Sequence, residues 1–108
     1  MINFDEFKKV EIKVGEILSV EEVDKSEKLL KLSVNLGEES PRTVVSGIKK
    51  YFEDPQTLVG VKCAFATNLE PRPLMGIPSE AMLMAASEGE KLSVLRVDNE
   101  ISAGTRIN

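Results

Sequence analysis

Val10-Glu11-Ile12-Lys13-Val14-Gly15-Glu16-Ile17-Leu18-Ser19-Val20-Glu21-Glu22-Val23 is the stretch on which the fold turns. Val10, Ile12 and Val14 alternate with Glu11 and Lys13, the period of a half-buried strand. Gly15 breaks the alternation, and Ile17, Leu18, Val20 and Val23 continue on a shifted face. A glycine inside a strand pattern predicts a bulge or sharp bend, the device that curls a small sheet toward a barrel. Upstream, Asn3 is placed to cap a short helix that presents Phe4 and Phe7 to one side. Such a helix suits either the open end of a sheet or a second subunit.

Downstream, residues 24–27 form a polar turn. Leu30, Leu32, Val34 and Leu36 alternate with Lys31, Ser33 and Asn35, the cleanest strand pattern in the chain. Residues 37–41 turn, and 42–46 return as the third strand, ended by Gly47. Residues 48–52 predict a short helical turn. Asp54-Pro55 reads as an N-cap followed by proline at the first helical position, with one turn stopped by Gly60. Residues 61–67 are apolar on both faces except for Lys62, which predicts a central fourth strand. Residues 81–86 make the fifth strand, 87–90 a turn, 92–97 a further strand and 102–105 a final turn.

The segment 66–84 holds Pro71, Pro73, Pro78 and Gly76, with the polar cluster Asn68, Arg72, Ser79 and Glu80. Proline fixes φ and cannot donate to a ladder, so the segment reads as a stiff, ordered loop. A rigid loop on a β-scaffold is a usual seat for binding residues. The same residues equally suit a long crossover in which Asn68 and Ser79 satisfy the loop's own backbone. Together the elements predict an all-β chain of one domain, 1–108. The architecture is a five-stranded Greek-key barrel of the OB type, with short helical elements and a C-terminal extension. Barrels of this kind bind oligonucleotides or oligosaccharides across one face.

Composition narrows the chemistry. The 108 residues contain no histidine and a single cysteine, Cys63. The commonest general base near neutral pH and the commonest zinc ligand are therefore missing, and a structural zinc site is excluded. Cys63 lies in an apolar run and reads as a small buried hydrophobe. No apolar run approaches bilayer length and no signal-like segment opens the chain, so a soluble, cytoplasmic protein is expected. The net charge is −4, but it is unevenly spread. Residues 1–24 carry three Lys against seven Asp or Glu, and 25–50 carry six Lys or Arg against three Glu. Residues 51–108 return to excess acid, with five against eight, so the middle segment alone is basic.

Val14-Gly15, Lys28-Leu29-Leu30, Val45-Ser46-Gly47-Ile48, Asn68-Leu69-x-Pro71-Arg72, Gly76 and Ser79-Glu80-x-Met82 occur in order along the chain. With these motifs it resembles the tRNA-binding OB domain at the C-terminus of methionyl-tRNA synthetases. It is also similar to free-standing homologues of that domain and to the core of endothelial monocyte-activating polypeptide. The resemblance runs from about Phe4 to Ile107. It implies a non-catalytic, structure-specific tRNA binder without cofactor or metal, either general or an accessory (beta) subunit of methionyl-tRNA synthetase. It further implies a homodimer, joined mainly near the C-terminus. The family's RNA-contacting positions fall on Lys28, Arg42, Ser46, Asn68, Ser79 and Met82. The chemistry of the residues themselves adds Lys31 and Arg72 as phosphate or ribose contacts. Aromatic residues make up only 5% and tryptophan is absent, so few bases can be stacked and folded RNA is the better target. Similar proteins often carry Lys or Arg where this one has Glu70 and Pro73, and Gly where it has Ala81. An alternative within the resemblance is a CsaA-like export chaperone that binds unfolded or presecretory chains, with Met75, Met82 and Met84 in an adaptable groove. An enzyme is the weakest expectation, since Glu80 beside Ser79 is no recognised nucleophile–base pair.

Overall fold

A computed structural model describes residues 1–108. The long strand β1 (Ile12–Glu22) is the element on which the others assemble. Its first half, Ile12 to Glu16, pairs antiparallel with β4 (Lys62–Ala66). From Glu16 to Glu22 it pairs with β2 (Leu30–Asn35). A strand that changes partner midway wraps a small sheet round on itself. Adding β3 (Arg42–Ser46) beside β2, and β7 (Met82–Leu83) beside β4, gives the order β3-β2-β1-β4-β7. This is the expected five-stranded, barrel-like sheet, with three additions. The strands β5 (Arg72–Leu74) and β6 (Ile77–Ser79) form one hairpin, and β8 (Ala85–Glu88) and β9 (Lys91–Val94) another. The short β10 (Arg106–Ile107) pairs with the start of β1.

Gly15 acts by absence of volume. It faces Cys63 in the β1–β4 register. A Cβ built there would lie 2.6 Å from Phe65 Cδ1 and 2.7 Å from Val34 Cγ1. The ring of Phe65, fully buried, fills the space that a side chain would take. The bulge expected at Gly15 falls instead at Leu18, where the β1–β2 register slips between Ile17 and Ser19. Leu18 is therefore turned outward while Ile17 and Val20 stay in the core. Val10, expected in the strand, lies before it and is exposed.

The core is formed by Ile17, Leu30, Leu32, Val34, Leu36, Val44, Leu58 and Phe65, with Cys63 among them. Burial pushes the Cys63 thiol up to about 12. The caps read from sequence are present. Asp54 Oδ1 accepts from Gln56 N at 3.0 Å and starts the 3-10 turn Pro55–Leu58. Asn3 Oδ1 accepts from Glu6 N at 2.9 Å and caps α1 (Phe4–Phe7). Both rings of α1 stay exposed, so the helix covers no open end of the sheet within the chain. No helix is long and apolar enough to cross a membrane.

The segment 66–84 departs most from expectation. It is neither a plain loop nor a crossover but a two-stranded ribbon, in which Pro73 faces Pro78. Leu74 and Ile77 close a two-residue turn, which makes the Pro73–Pro78 pair a non-hydrogen-bonded one. Neither proline then removes a ladder bond, so the ban on proline in strands does not apply. Met75 (φ 52) and Gly76 (φ 79) both adopt left-handed backbone, as a primed hairpin turn requires. The expected strand 81–86 is split at Met84 between β7 and β8.

Candidate nucleic-acid interface

Strand β3 has no backbone ladder on its outer edge, and an open edge of this kind must be satisfied or it invites pairing. Side chains from the end of the β5–β6 ribbon do this. Val45 N donates to Ser79 Oγ at 2.9 Å, and Ser79 Oγ donates to Ala81 O at 3.0 Å. Thr43 N donates to a Glu80 carboxylate oxygen at 2.9 Å, and Glu80 N donates to Thr43 O at 2.8 Å. The barrel is closed through two side chains and one backbone hydrogen bond rather than through a strand pair.

Arg42, at the start of β3, locks the same seam. Its Nε and Nη2 donate to the two carboxylate oxygens of Glu38 at 2.8 and 2.6 Å. Its Nη1 donates to Thr67 O at 2.6 Å and to Glu80 O at 3.2 Å. One guanidinium thus joins the β2–β3 turn, the end of β4 and the link from β6 to β7. Asn68 does similar work on the other side. Its Oδ1 accepts from Glu11 N at 2.8 Å and its Nδ2 donates to Lys9 O at 2.7 Å. Beside it, Thr67 Oγ1 donates to Glu11 Oε1 at 2.7 Å.

Two carboxylates feel these contacts. The Arg42 hydrogen bond holds Glu38 below the usual carboxylate range, and that of Thr67 does the same for Glu11, assisted by Lys13. A depressed native pKa adds stability that is complete above the unfolded value of about 4.3 and is lost as pH falls through the folded value. Stability therefore declines below about pH 4, and Glu38→Gln flattens that decline. Urea unfolding of both proteins from pH 7 to pH 2.5 checks this; parallel curves would remove Glu38 from the account.

The eight residues expected to meet RNA divide in two. Arg42 and Ser79 meet at the seam and Asn68 ties the end of β4 to the segment before β1, each with its polar groups engaged in the protein. Lys28, Lys31, Ser46, Arg72 and Met82 remain available. Lys28 and Arg72 are exposed, Lys31 and Ser46 half-buried, and Met82 is 51% exposed although its neighbours Ala81 and Leu83 are buried. None of Lys28, Lys31 and Arg72 belongs to an ion pair, whereas Lys49 of the same basic segment is tied to Glu22 at 2.8 Å. The register places Leu30 opposite Ser46 and Arg72 opposite Ser79, so Lys28 and Lys31 flank β3 on one side and Arg72 on the other. Arg72, but neither Lys28 nor Lys31, lines a groove of about 180 Å³, together with Ser46, Leu69, Glu70, Leu74 and Met82, among others.

The sequence reading did not single out Leu69, Leu74 and Glu70 as groove residues, nor Glu80 as a closing one. The signal for the two leucines was their place among the four apolar residues, Leu69, Leu74, Met75 and Ile77, of the proline-rich stretch 67–80. For Glu80 no local signal exists.

A β-barrel closed largely by side chains, with a partly apolar groove lined by the unpaired Arg72, is the class of protein that fold and surface define. Residues 12–106 match the family described as "Putative tRNA binding domain", and the chain belongs to that family. It is 44% identical over 107 residues to methionine–tRNA ligase of Caldanaerobacter subterraneus subsp. tengcongensis, covering 99% of this chain and 16% of the ligase. The chain thus spans about one sixth of the length of the curated relatives it matches. Among solved structures, the MetRS-related protein from Pyrococcus horikoshii superposes with a TM-score of 0.91 at 34% identity, covering 99% of this chain and 97% of that one. The CsaA chaperone protein from Picrophilus torridus superposes at 0.87 with 25% identity, covering 100% of both chains.

Proposed function

We propose that this chain is a non-catalytic tRNA-binding protein that docks folded tRNA across the groove, as an accessory subunit to methionyl-tRNA synthetase in the cytoplasm. The observation that carries the reading is the coincidence of the family match with a surface on which Lys28, Lys31 and Arg72 are unpaired and Arg72 lines a groove. In this reading Lys28 and Lys31 neutralise phosphates, while Arg72, Ser46 and Met82 meet sugar or base. Arg42, Asn68 and Ser79 hold the surface in shape. Two observations support a purely binding role. A thiol at about 12 supplies no thiolate near neutral pH. The Ser79 hydroxyl and the Glu80 carboxylate are both engaged with backbone groups, not with each other. A second copy of the chain as partner is supported by the exposed Ile2, Phe4, Phe7 and Val10 at the N-terminus and by the projecting β8–β9 hairpin.

The test is a titration with total tRNA at 50 and 200 mM salt. Two phosphate contacts give an affinity loss of about 7- to 12-fold between the two conditions. Lys28→Ala and Lys31→Ala each lower the salt slope by about one. Absence of binding at 50 mM rejects the proposal. A chaperone reading has one observation in its favour, the apolar lining of the groove with Met75 exposed beside it. Binding of a denatured polypeptide that persists unchanged at 200 mM salt, without tRNA binding, is the result that selects it.

A further inference from the structure

We infer, resting on the tRNA-binding reading above, that the groove receives one unpaired guanine base, with Glu70 and Arg72 reading its edge. The lining is the first argument. Leu69, Leu74 and Met82 present apolar walls, and the volume of about 180 Å³ suits a single flat ring system. For comparison, a cavity of about 150 Å³ takes one benzene. A phosphate has no use for such walls, whereas a base buries both faces against them. Met82 adapts to a planar partner through its flexible, polarisable thioether.

The second argument is the pair of charges. Glu70 and Arg72 both line the groove and both are exposed. Neither forms an ion pair within the chain. A carboxylate at a site for phosphate alone is repulsive, but a carboxylate is an acceptor-only group with two oxygens. Guanine offers two adjacent donors, N1–H and the N2 amine, to those oxygens. Along the same perimeter it offers the acceptors O6 and N7, which match the guanidinium fork. Adenine presents one amine donor and uracil one imide donor, so each leaves a carboxylate oxygen or the fork half-used. Cytosine has adjacent acceptors in O2 and N3 but only its N4 amine as donor, so it leaves a carboxylate oxygen unused. Guanine alone uses both side chains fully.

The experiment is fluorescence anisotropy with labelled heptauridylates that carry G, A, inosine or 7-deazaguanine at the centre. Total tRNA is titrated in parallel at the same low salt. The G oligomer is expected to bind about tenfold tighter than the A oligomer. Inosine, without the N2 amine, loses most of that preference, and 7-deazaguanine, without N7, loses part of it. Glu70→Ala is the discriminating variant, because its exposed side chain has no partner within the fold to lose. It is expected to cut the G-over-A preference to under about threefold while binding of the A oligomer holds or rises. If Glu70→Ala raises affinity for the G and A oligomers equally, Glu70 acts only as a charge and the inference is overturned. Equal binding of all four oligomers beside intact tRNA binding also overturns it, and leaves the tRNA reading standing. Failure of both the oligomers and tRNA to bind removes the two together.

Discussion

Gly15→Ala lowers the unfolding free energy by about 3 kcal/mol, at the upper end of the usual cost of overpacking a core. For a domain of this size that is a fall in Tm of about 12 °C or more. The added methyl would stand 2.6 to 2.7 Å from Phe65 and Val34 carbons, and neither neighbour has free space to yield. Gly15 and Phe65 are also linked through the β1–β4 pairing, so a shift of the ring pulls on the strand pair that bends the barrel. The check is a double-mutant cycle with Phe65→Leu, which removes the crowded ring edge. Alone, Phe65→Leu costs stability through the cavity it leaves. Combined with Gly15→Ala it costs less than the sum by at least about 1 kcal/mol, because the new methyl occupies part of that cavity. Additive effects would show that the glycine is needed for some reason other than the room it leaves.

Arg42→Ala has the next largest effect, about 1–2 kcal/mol, for a different reason. It leaves Thr67 O and Glu80 O without the guanidinium that they now share, while the exposed Glu38 carboxylate returns to water. The seam between β3, β4 and the β5–β6 ribbon loses its only cross-link of this reach. Arg42→Lys restores little, since an ammonium cannot form the fork to Glu38 while also reaching Thr67 and Glu80. tRNA affinity falls with both variants because the groove wall at β3 is no longer held. Thermal unfolding separates the two ways this can happen. A variant with wild-type Tm that no longer binds tRNA would return Arg42 to the role of a direct phosphate contact.

The contrast between Arg42 and Lys28 shows where the sequence reading stops. Both are cations of the basic segment, and both were expected from the resemblance to meet RNA. Arg42 has carbonyl and carboxylate partners within reach and Lys28 does not, a difference that depends on what the fold brings near. Asn68 makes the same point at greater range, since its partner Lys9 lies 59 residues away. The prolines of 66–84 misled in another way. Their effect on a ladder depends on which pairs are hydrogen-bonded, and that is set by the Met75-Gly76 turn.

Local pattern sufficed for what depends on neighbours along the chain. Alternation located β1 and β2, the run 61–67 located β4 and marked Cys63 as core, Asn3 and Asp54 announced their caps, and the absence of histidine confined the chemistry. These are decided within a few residues by side-chain period and backbone preference. Barrel closure by Ser79 and Glu80, the engagement of Arg42, the outward turn of Leu18 and the joining of Leu69, Leu74 and Met82 into one groove were decided only by the tertiary structure. Each depends on which groups from distant segments are brought to hydrogen-bonding or van der Waals distance, and a periodicity of two residues holds no record of that.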